Sequence, residues 1–274
     1  MGFINSAIVW DPSLSPFSIF GFDVRYYSLC WCLGFLAAYY IVKKAYKNSG
    51  VGEDKFEPLF MYCFFGILIG ARLGHCLFYE PEYYLAHPIE MILPIKKTAE
   101  GFSFIGYQGL ASHGGTIGVI LSLLLYARKT KLTLVWTLDH IAIAAPLFGA
   151  LIRFGNFMNS EIIGNVTDAP WGVIFVQAGE TLPRHPAQLY EAIAYLVIFL
   201  VQLVLYKMLR NRMGKGFFLG YCLFTIFTFR FFVEFIKENQ VAFEEGMTLI
   251  MGQWLSLPFI AIGLYYMVKG LKRK

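Results

Sequence analysis

Seven stretches of mostly apolar residues recur along the chain, at roughly 24–43, 58–79, 105–127, 134–157, 188–208, 216–236 and 248–268. About 20 such residues wound as a helix cross the hydrocarbon of a bilayer, and the helix satisfies its own backbone hydrogen bonds where no water is present to do so. The pattern predicts an all-α, polytopic membrane protein with seven transmembrane helices. Composition agrees. Apolar residues make up 57% of the chain and charged residues 15%, against about 45–50% and about 25% in soluble domains. A mean hydropathy of +0.57 argues against disorder, collagen, coiled coil and a water-soluble globule. No internal repeat or low-complexity tract interrupts the pattern, so one domain over 1–274 is expected, with long connections at about 80–104 and 158–187.

Orientation follows from lysine and arginine. One set of segment ends carries Lys43, Lys44, Lys47, Lys55, Arg128, Lys129, Lys131, Lys207, Arg210, Arg212, Lys215, Lys269, Lys272, Arg273 and Lys274. The opposite set carries only Arg25, Lys96, Lys97, Arg184 and Lys237. The asymmetry predicts the N-terminus outside, the C-terminus in the cytoplasm and an odd number of spans, with both long connections facing outward. The net charge of +5 is therefore distributed as in a membrane protein rather than gathered for a nucleic acid, and no nucleic-acid partner is expected. The first twenty residues lack a basic leader and contain Pro12 and Pro16, so the first span is expected to direct insertion.

Three arginines, Arg72, Arg153 and Arg230, fall among apolar neighbours. Each costs about 2.5–3.5 kcal/mol at a membrane centre on the insertion scale, so such residues pair with acids, line a cavity or read a substrate. Glu234 lies four residues after Arg230, at the spacing of a structural ion pair. A planar guanidinium also matches a phosphodiester, and in a bilayer the commonest phosphodiester is a lipid headgroup. Three arginines towards the outer side thus point to a lipid-handling site.

The densest polar stretch runs from Gly149 to Glu161. If helical, Gly149, Arg153, Asn156 and Ser160 share one face. His113 stands in a glycine-rich run, Ser112-His113-Gly114-Gly115. An imidazole, with an ordinary pKa near about 6.5, can accept a proton from a thiol or hydroxyl at neutral pH. No G-x-S-x-G accompanies Ser112, which weighs against a serine hydrolase. Arg184-His185-Pro186 through Glu191 opens the fifth span and reads mainly as helix capping, while Asp139 is an intramembrane acid without an evident partner in sequence. Cys30, Cys32, Cys63, Cys76 and Cys222 all fall in apolar stretches and are expected to be free thiols. No acid or Cys/His cluster suits a metal, so neither metal nor cofactor is expected.

Five segments together carry a resemblance. They are Gly70-Ala71-Arg72-Leu73-Gly74 running into Phe78-Tyr79, Ser112-His113-Gly114-Gly115, Arg153 through Glu161, Arg184 through Glu191, and Phe229-Arg230-Phe231-Phe232-Val233-Glu234-Phe235. In this order, across the whole chain, they resemble the prolipoprotein diacylglyceryl transferase family. The resemblance implies transfer of the sn-1,2-diacylglyceryl group from phosphatidylglycerol to the lipobox cysteine of a prolipoprotein signal peptide, in the bacterial cytoplasmic (inner) membrane. Glycerol phosphate leaves, and no cofactor takes part. It further implies catalytic roles for His113, Arg153 and Arg230. Tyr27, Arg72, Arg153, Asn156, Asn159, Glu161, Gly164 and Glu234 are implied on the substrate side.

The chain departs from the family pattern at Ser160 and Ala187, where glycine and serine are usual, and at His75, Ile226 and Lys237, where tyrosine, tyrosine and arginine are common. The thiol proton has two candidate acceptors, His113 and the departing phosphate. A transporter that uses the arginines as an anion path is the reading of a different class, against which the absence of an inverted repeat counts.

Overall fold

Apolar runs of this length leave the chain little choice but helix, and helices dominate the computed structural model, which describes residues 7–19, 21–93, 95–98, 101–104, 111–238 and 248–272. The start of the expected third span (105–110) and the basic residues Arg273 and Lys274 lie outside the described residues. In chain order the elements are β1 (Ile8–Trp10), β2 (Phe17–Ile19), β3 (Phe22–Val24), α1 (Tyr26–Asn48), α2 (Glu53–Phe78), α3 (Pro81–Ala86), α4 (Pro88–Ile92), β4 (Ile95–Thr98), β5 (Gly101–Phe104) and α5 (Ser112–Thr130). They continue with α6 (Leu134–Ala142), α7 (Ala145–Met158), β6 (Val173–Phe175), α8 (Ala187–Met208), α9 (Phe217–Val233) and α10 (Met251–Lys272).

Among the described residues four helices are long and apolar enough to cross a membrane: α2, α8, α9 with its 3-10 extension to Ile236, and α10. The pair α6–α7 makes a fifth if its two arms count as one span; they bend by 52° at the break. The expected span at 134–157 is thus broken in two. Pro146 sits in the first turn of α7, where a missing N–H is tolerated, and cannot continue a helix from upstream. α1 and α5 lie where the first and third spans are expected but are not among those four.

Helix dominates as expected, but among the described residues three small two-stranded sheets also occur: β1 with β6 in parallel, and the antiparallel pairs β2–β3 and β4–β5. Three- and four-residue strands are too short to leave a period-two signature in sequence. β1 anchors the N-terminal segment. Trp10 packs on Phe157 with ring centroids 4.4 Å apart and the planes tilted by 31°, and its indole donates to the Phe157 carbonyl at 3.2 Å. Around them Met158, Ile163, Val173 and Phe175 form a buried cluster with Tyr26 and Leu189.

The chain divides into two units, residues 1–45 with 135–274, and residues 46–134. In the first, α7 packs on α8, α8 on α9 and α9 on α10. Asp139 finds its partners here: its buried carboxylate accepts the backbone N–H of Gly214 and of Leu219, each at 2.7 Å, and so caps the start of α9.

In the second unit α2 and α5 approach backbone to backbone along Gly66, Gly70, Gly114 and Gly118, with the Ser122 side chain set against Gly66. A Cβ on Gly70 would lie 2.4 Å from the Gly114 carbonyl oxygen, and one on Gly118 2.0 Å from that of Gly66. Small residues spaced by four let two backbones approach this closely in a membrane, where packing rather than hydrophobic expulsion holds helices together. Gly118→Leu has only backbone to displace. It is expected to cost about 1–3 kcal/mol or more in an unfolding titration in detergent, whereas Ile117→Leu on the exposed flank should cost little.

Candidate functional site

The end of α7 assembles the polar groups. A Cβ on Gly155 would lie 2.9 Å from Tyr27 Cδ2, so the glycine is what brings the Tyr27 ring against this turn. Arg153 and Asn156, one turn apart, meet with Nη1 donating to Oδ1 at 3.5 Å. The helix stops at Met158. Ser160 is therefore not on the helical face expected for it; it turns the chain back in the left-handed region at φ 55°. The return lets the Glu161 N–H donate to the Asn156 carbonyl at 3.0 Å. The Glu161 carboxylate accepts the amides of Asn156 and Asn159, each at 3.1 Å, and Gln188 donates to the Glu161 carbonyl.

Left-handed backbone costs about 1–2 kcal/mol for a residue with a Cβ. Ser160→Gly is accordingly expected to stabilise the protein by about 0.5–1 kcal/mol after the extra freedom of unfolded glycine is deducted. Its melting temperature in detergent checks this.

A chain of alternating charge runs on from Arg153. Its Nε lies 3.3 Å from Oε2 of Glu191, a carboxylate that is fully buried. Glu191 Oε2 is also 3.2 Å from Lys237 Nζ, and its Oε1 accepts the Tyr195 hydroxyl at 3.1 Å. Lys237 Nζ continues to Glu234 Oε1 at 3.2 Å, and that oxygen lies 3.4 Å from Arg230 Nε. Both arginines thus meet an internal acid, the arrangement a purely structural ion pair would give. Neither is fully compensated, because three cations share two carboxylates. The side chains of Arg153 and Arg230 keep 15% and 37% exposure, while Glu191, Glu234 and Lys237 are buried. Each arginine turns its Nε edge to the acid.

Gly164 stands between two backbone segments. A Cβ there would be 2.7 Å from both the His185 Cβ and the Ile236 carbonyl oxygen. It pairs with Lys237 in an isolated antiparallel bridge, and its N–H donates to the His185 carbonyl at 2.9 Å. The glycine therefore fixes where Lys237 enters the site.

Arg72 and His113 belong to the other unit. The Arg72 guanidinium is buried, donates to the Glu90 and Met91 carbonyls at 2.6 and 3.2 Å, and lies over the Tyr84 ring at 4.8 Å. It ties α4 to α2. Beside it Tyr83 donates to the Glu90 carboxylate at 2.6 Å, and that bond pushes the phenol up to about 12. His113 is exposed in the first turn of α5, whose N-cap residue Ala111 donates its N–H to the Ala71 carbonyl at 2.9 Å.

The sequence singles out neither Glu191, which falls in a helix-capping segment, nor Lys237, which stands with the few basic residues of the opposite set, as a site residue. The available signal was three ionisable residues, Arg230, Glu234 and Lys237, at spacings of four and three, which places them on one face. Among the described residues no group of three or more His, Cys, Asp or Glu side chains is arranged to hold a metal ion.

A mostly helical chain with several helices long and apolar enough to span a bilayer belongs to the class of multi-pass membrane proteins. The comparisons with known proteins narrow the class. The family model described as prolipoprotein diacylglyceryl transferase matches residues 15–269, and the chain belongs to that family. A phosphatidylglycerol–prolipoprotein diacylglyceryl transferase of Bacteroides fragilis is 56% identical over 98% of this chain and 97% of its own length. Proteins of the same name from Tolumonas auensis and Chloroherpeton thalassium are 44% and 40% identical, over 92% and 98% of this chain and 93% and 96% of theirs.

Proposed function

We propose that the chain transfers the diacylglyceryl group of phosphatidylglycerol to the cysteine thiol of a prolipoprotein lipobox, the first step of lipoprotein maturation. The sulfur forms a thioether with the glycerol carbon, the C–O bond to phosphate breaks, and glycerol phosphate leaves with the bonding pair. The observation that carries this reading is the pair of partly exposed guanidinium groups, each held by its Nε edge in a network with one surplus positive charge.

In this reading Arg153 and Arg230 grip the phosphodiester and stabilise the charge that gathers on the leaving group. Tyr27, Asn156, Asn159 and Glu161 orient the headgroup glycerol, and Glu234 and Gly164 set Arg230 and its surroundings. Arg72 serves through the α2–α4 connection rather than by direct contact with lipid. A free cysteine thiol is only a few per cent ionised at pH 7, so a base assists, and His113 is our choice for it. The protein has seven spans with the N-terminus outside and the C-terminus cytoplasmic, in the inner membrane of the cell. The lysine and arginine asymmetry supports this, and it sets the site at the outer leaflet where secreted prolipoproteins arrive.

The test is direct. Purified protein with phosphatidylglycerol and a lipobox peptide should add one diacylglyceryl mass to the peptide. A peptide with serine in place of the lipobox cysteine should gain nothing. No mass gain, or equal gain by both peptides, rejects the transferase reading. Full activity in a folded His113→Ala variant rejects the base assignment alone.

A further inference from the structure

Lys237 is almost wholly buried, its side chain 3% exposed, and a buried ammonium is retained only where carboxylates surround it. It touches two, and they are the same two that hold the arginines. We propose that Lys237 is a positioning residue for the transfer reaction: by bridging Glu191 and Glu234 it keeps both carboxylates on the Nε edges of Arg153 and Arg230, leaving for an anionic headgroup the guanidinium N–H groups other than the Arg153 Nη1 that meets Asn156.

The atoms concerned coincide. Oε2 of Glu191 is 3.3 Å from Arg153 Nε and 3.2 Å from Lys237 Nζ; Oε1 of Glu234 is 3.4 Å from Arg230 Nε and 3.2 Å from Lys237 Nζ. A carboxylate unrestrained by the lysine would favour the bidentate fork that guanidinium offers, closing two N–H groups at once. That fork competes for the donors a phosphodiester needs. With the lysine in place, the chain of five charges carries one surplus positive charge, which an incoming phosphodiester balances. Glu161, the remaining acid on this turn, is engaged by the Asn156 and Asn159 amides.

The surroundings are built to hold the ammonium in place. Gly164 bridges the Lys237 backbone, Asn165 N–H donates to the Ile236 carbonyl at 2.8 Å, and Glu238 N–H to the Ile163 carbonyl at 3.3 Å. On the other side Gly252 leaves room for the Glu234 carboxylate, since a Cβ there would lie 2.6 Å from its Cδ.

This inference rests on the assignment of the phosphodiester to Arg153 and Arg230, so variants of those arginines are assayed alongside. Transfer kinetics and inhibition by added glycerol 1-phosphate are measured for the wild type, Lys237→Met, Lys237→Arg and the double variant Lys237→Met/Glu191→Gln. Lys237→Met should lower kcat by about 30-fold or more and raise the glycerol 1-phosphate inhibition constant about tenfold, with the peptide KM little changed. Lys237→Arg keeps the charge between the two acids and should stay within about threefold of wild type. The double variant removes one charge of each sign, and it should fold and recover about tenfold of the lost turnover even if Lys237→Met alone does not fold. The proposal is overturned if Lys237→Met keeps its kcat and inhibition constant, if Lys237→Arg falls as far as Lys237→Met, or if a folded double variant has no turnover. Should Arg153→Ala and Arg230→Ala also keep full kcat, the anion-site reading itself falls. If they lose activity while Lys237→Met does not, only the role of Lys237 falls.

Discussion

Arg153→Ala is expected to lower turnover by about 10²–10³-fold, the usual loss when one preorganised group is removed from a developing oxyanion. Lysine should not rescue it, because a point charge cannot reproduce the planar fork. The loss should appear in kcat and kcat/KM together, as befits an interaction strongest when the leaving phosphate carries most charge. Arg153 keeps only partial exposure and contacts Asn156, whose amide in turn holds Glu161, so its removal also loosens the headgroup side of the site. Arg230→Ala should behave alike, with less effect on the fold because that side chain is more exposed. A folded Arg153→Ala protein with near wild-type kcat for peptide lipidation would show that the cation serves only to stabilise Glu191.

Glu191→Ala is expected to be the most destabilising single change in the first unit, by about 3–5 kcal/mol, the cost of breaking a buried ion pair by deleting one member. Without the carboxylate, Arg153 and Lys237 lose their shared counter-ion and the Tyr195 hydroxyl loses its acceptor. Glu191→Gln keeps the shape and the acceptor for Tyr195 and should recover part of the loss. Denaturant titration in detergent, with tryptophan fluorescence as the probe, separates the two variants. A loss below about 1 kcal/mol for Glu191→Ala would place the pair among weak, solvent-screened bridges.

Hydropathy located the helices well because a spanning helix needs a long apolar run, and nothing else in such a sequence imitates one. It did not find the break between α6 and α7, since Pro146 interrupts the backbone without lowering the hydropathy of the stretch around it. The strands β1 and β6 were illegible for another reason: their pairing joins residues more than 160 positions apart through three residues each. In the site, the cluster at the end of α7 was readable because polar groups inside apolar sequence are costly and so conspicuous. Lys237 was not, because a lysine at the edge of a span ordinarily reaches the headgroups, and only the fold shows this one turned inward. Asp139 lacked a partner in sequence because its partners are main-chain N–H groups, which every residue but proline carries.

The contact of α2 with α5 has a bearing on handling the protein outside its membrane. A seam made largely of main chain has few rotamers to freeze, so joining its two sides sacrifices little side-chain entropy, and dispersion between closely fitted surfaces does not depend on which amphiphile surrounds them. Gly114 lies in that seam and His113 is its neighbour. The first turn of α5 should therefore keep its setting after extraction into micelles, which makes the exposed imidazole a practical place to put a spectroscopic label.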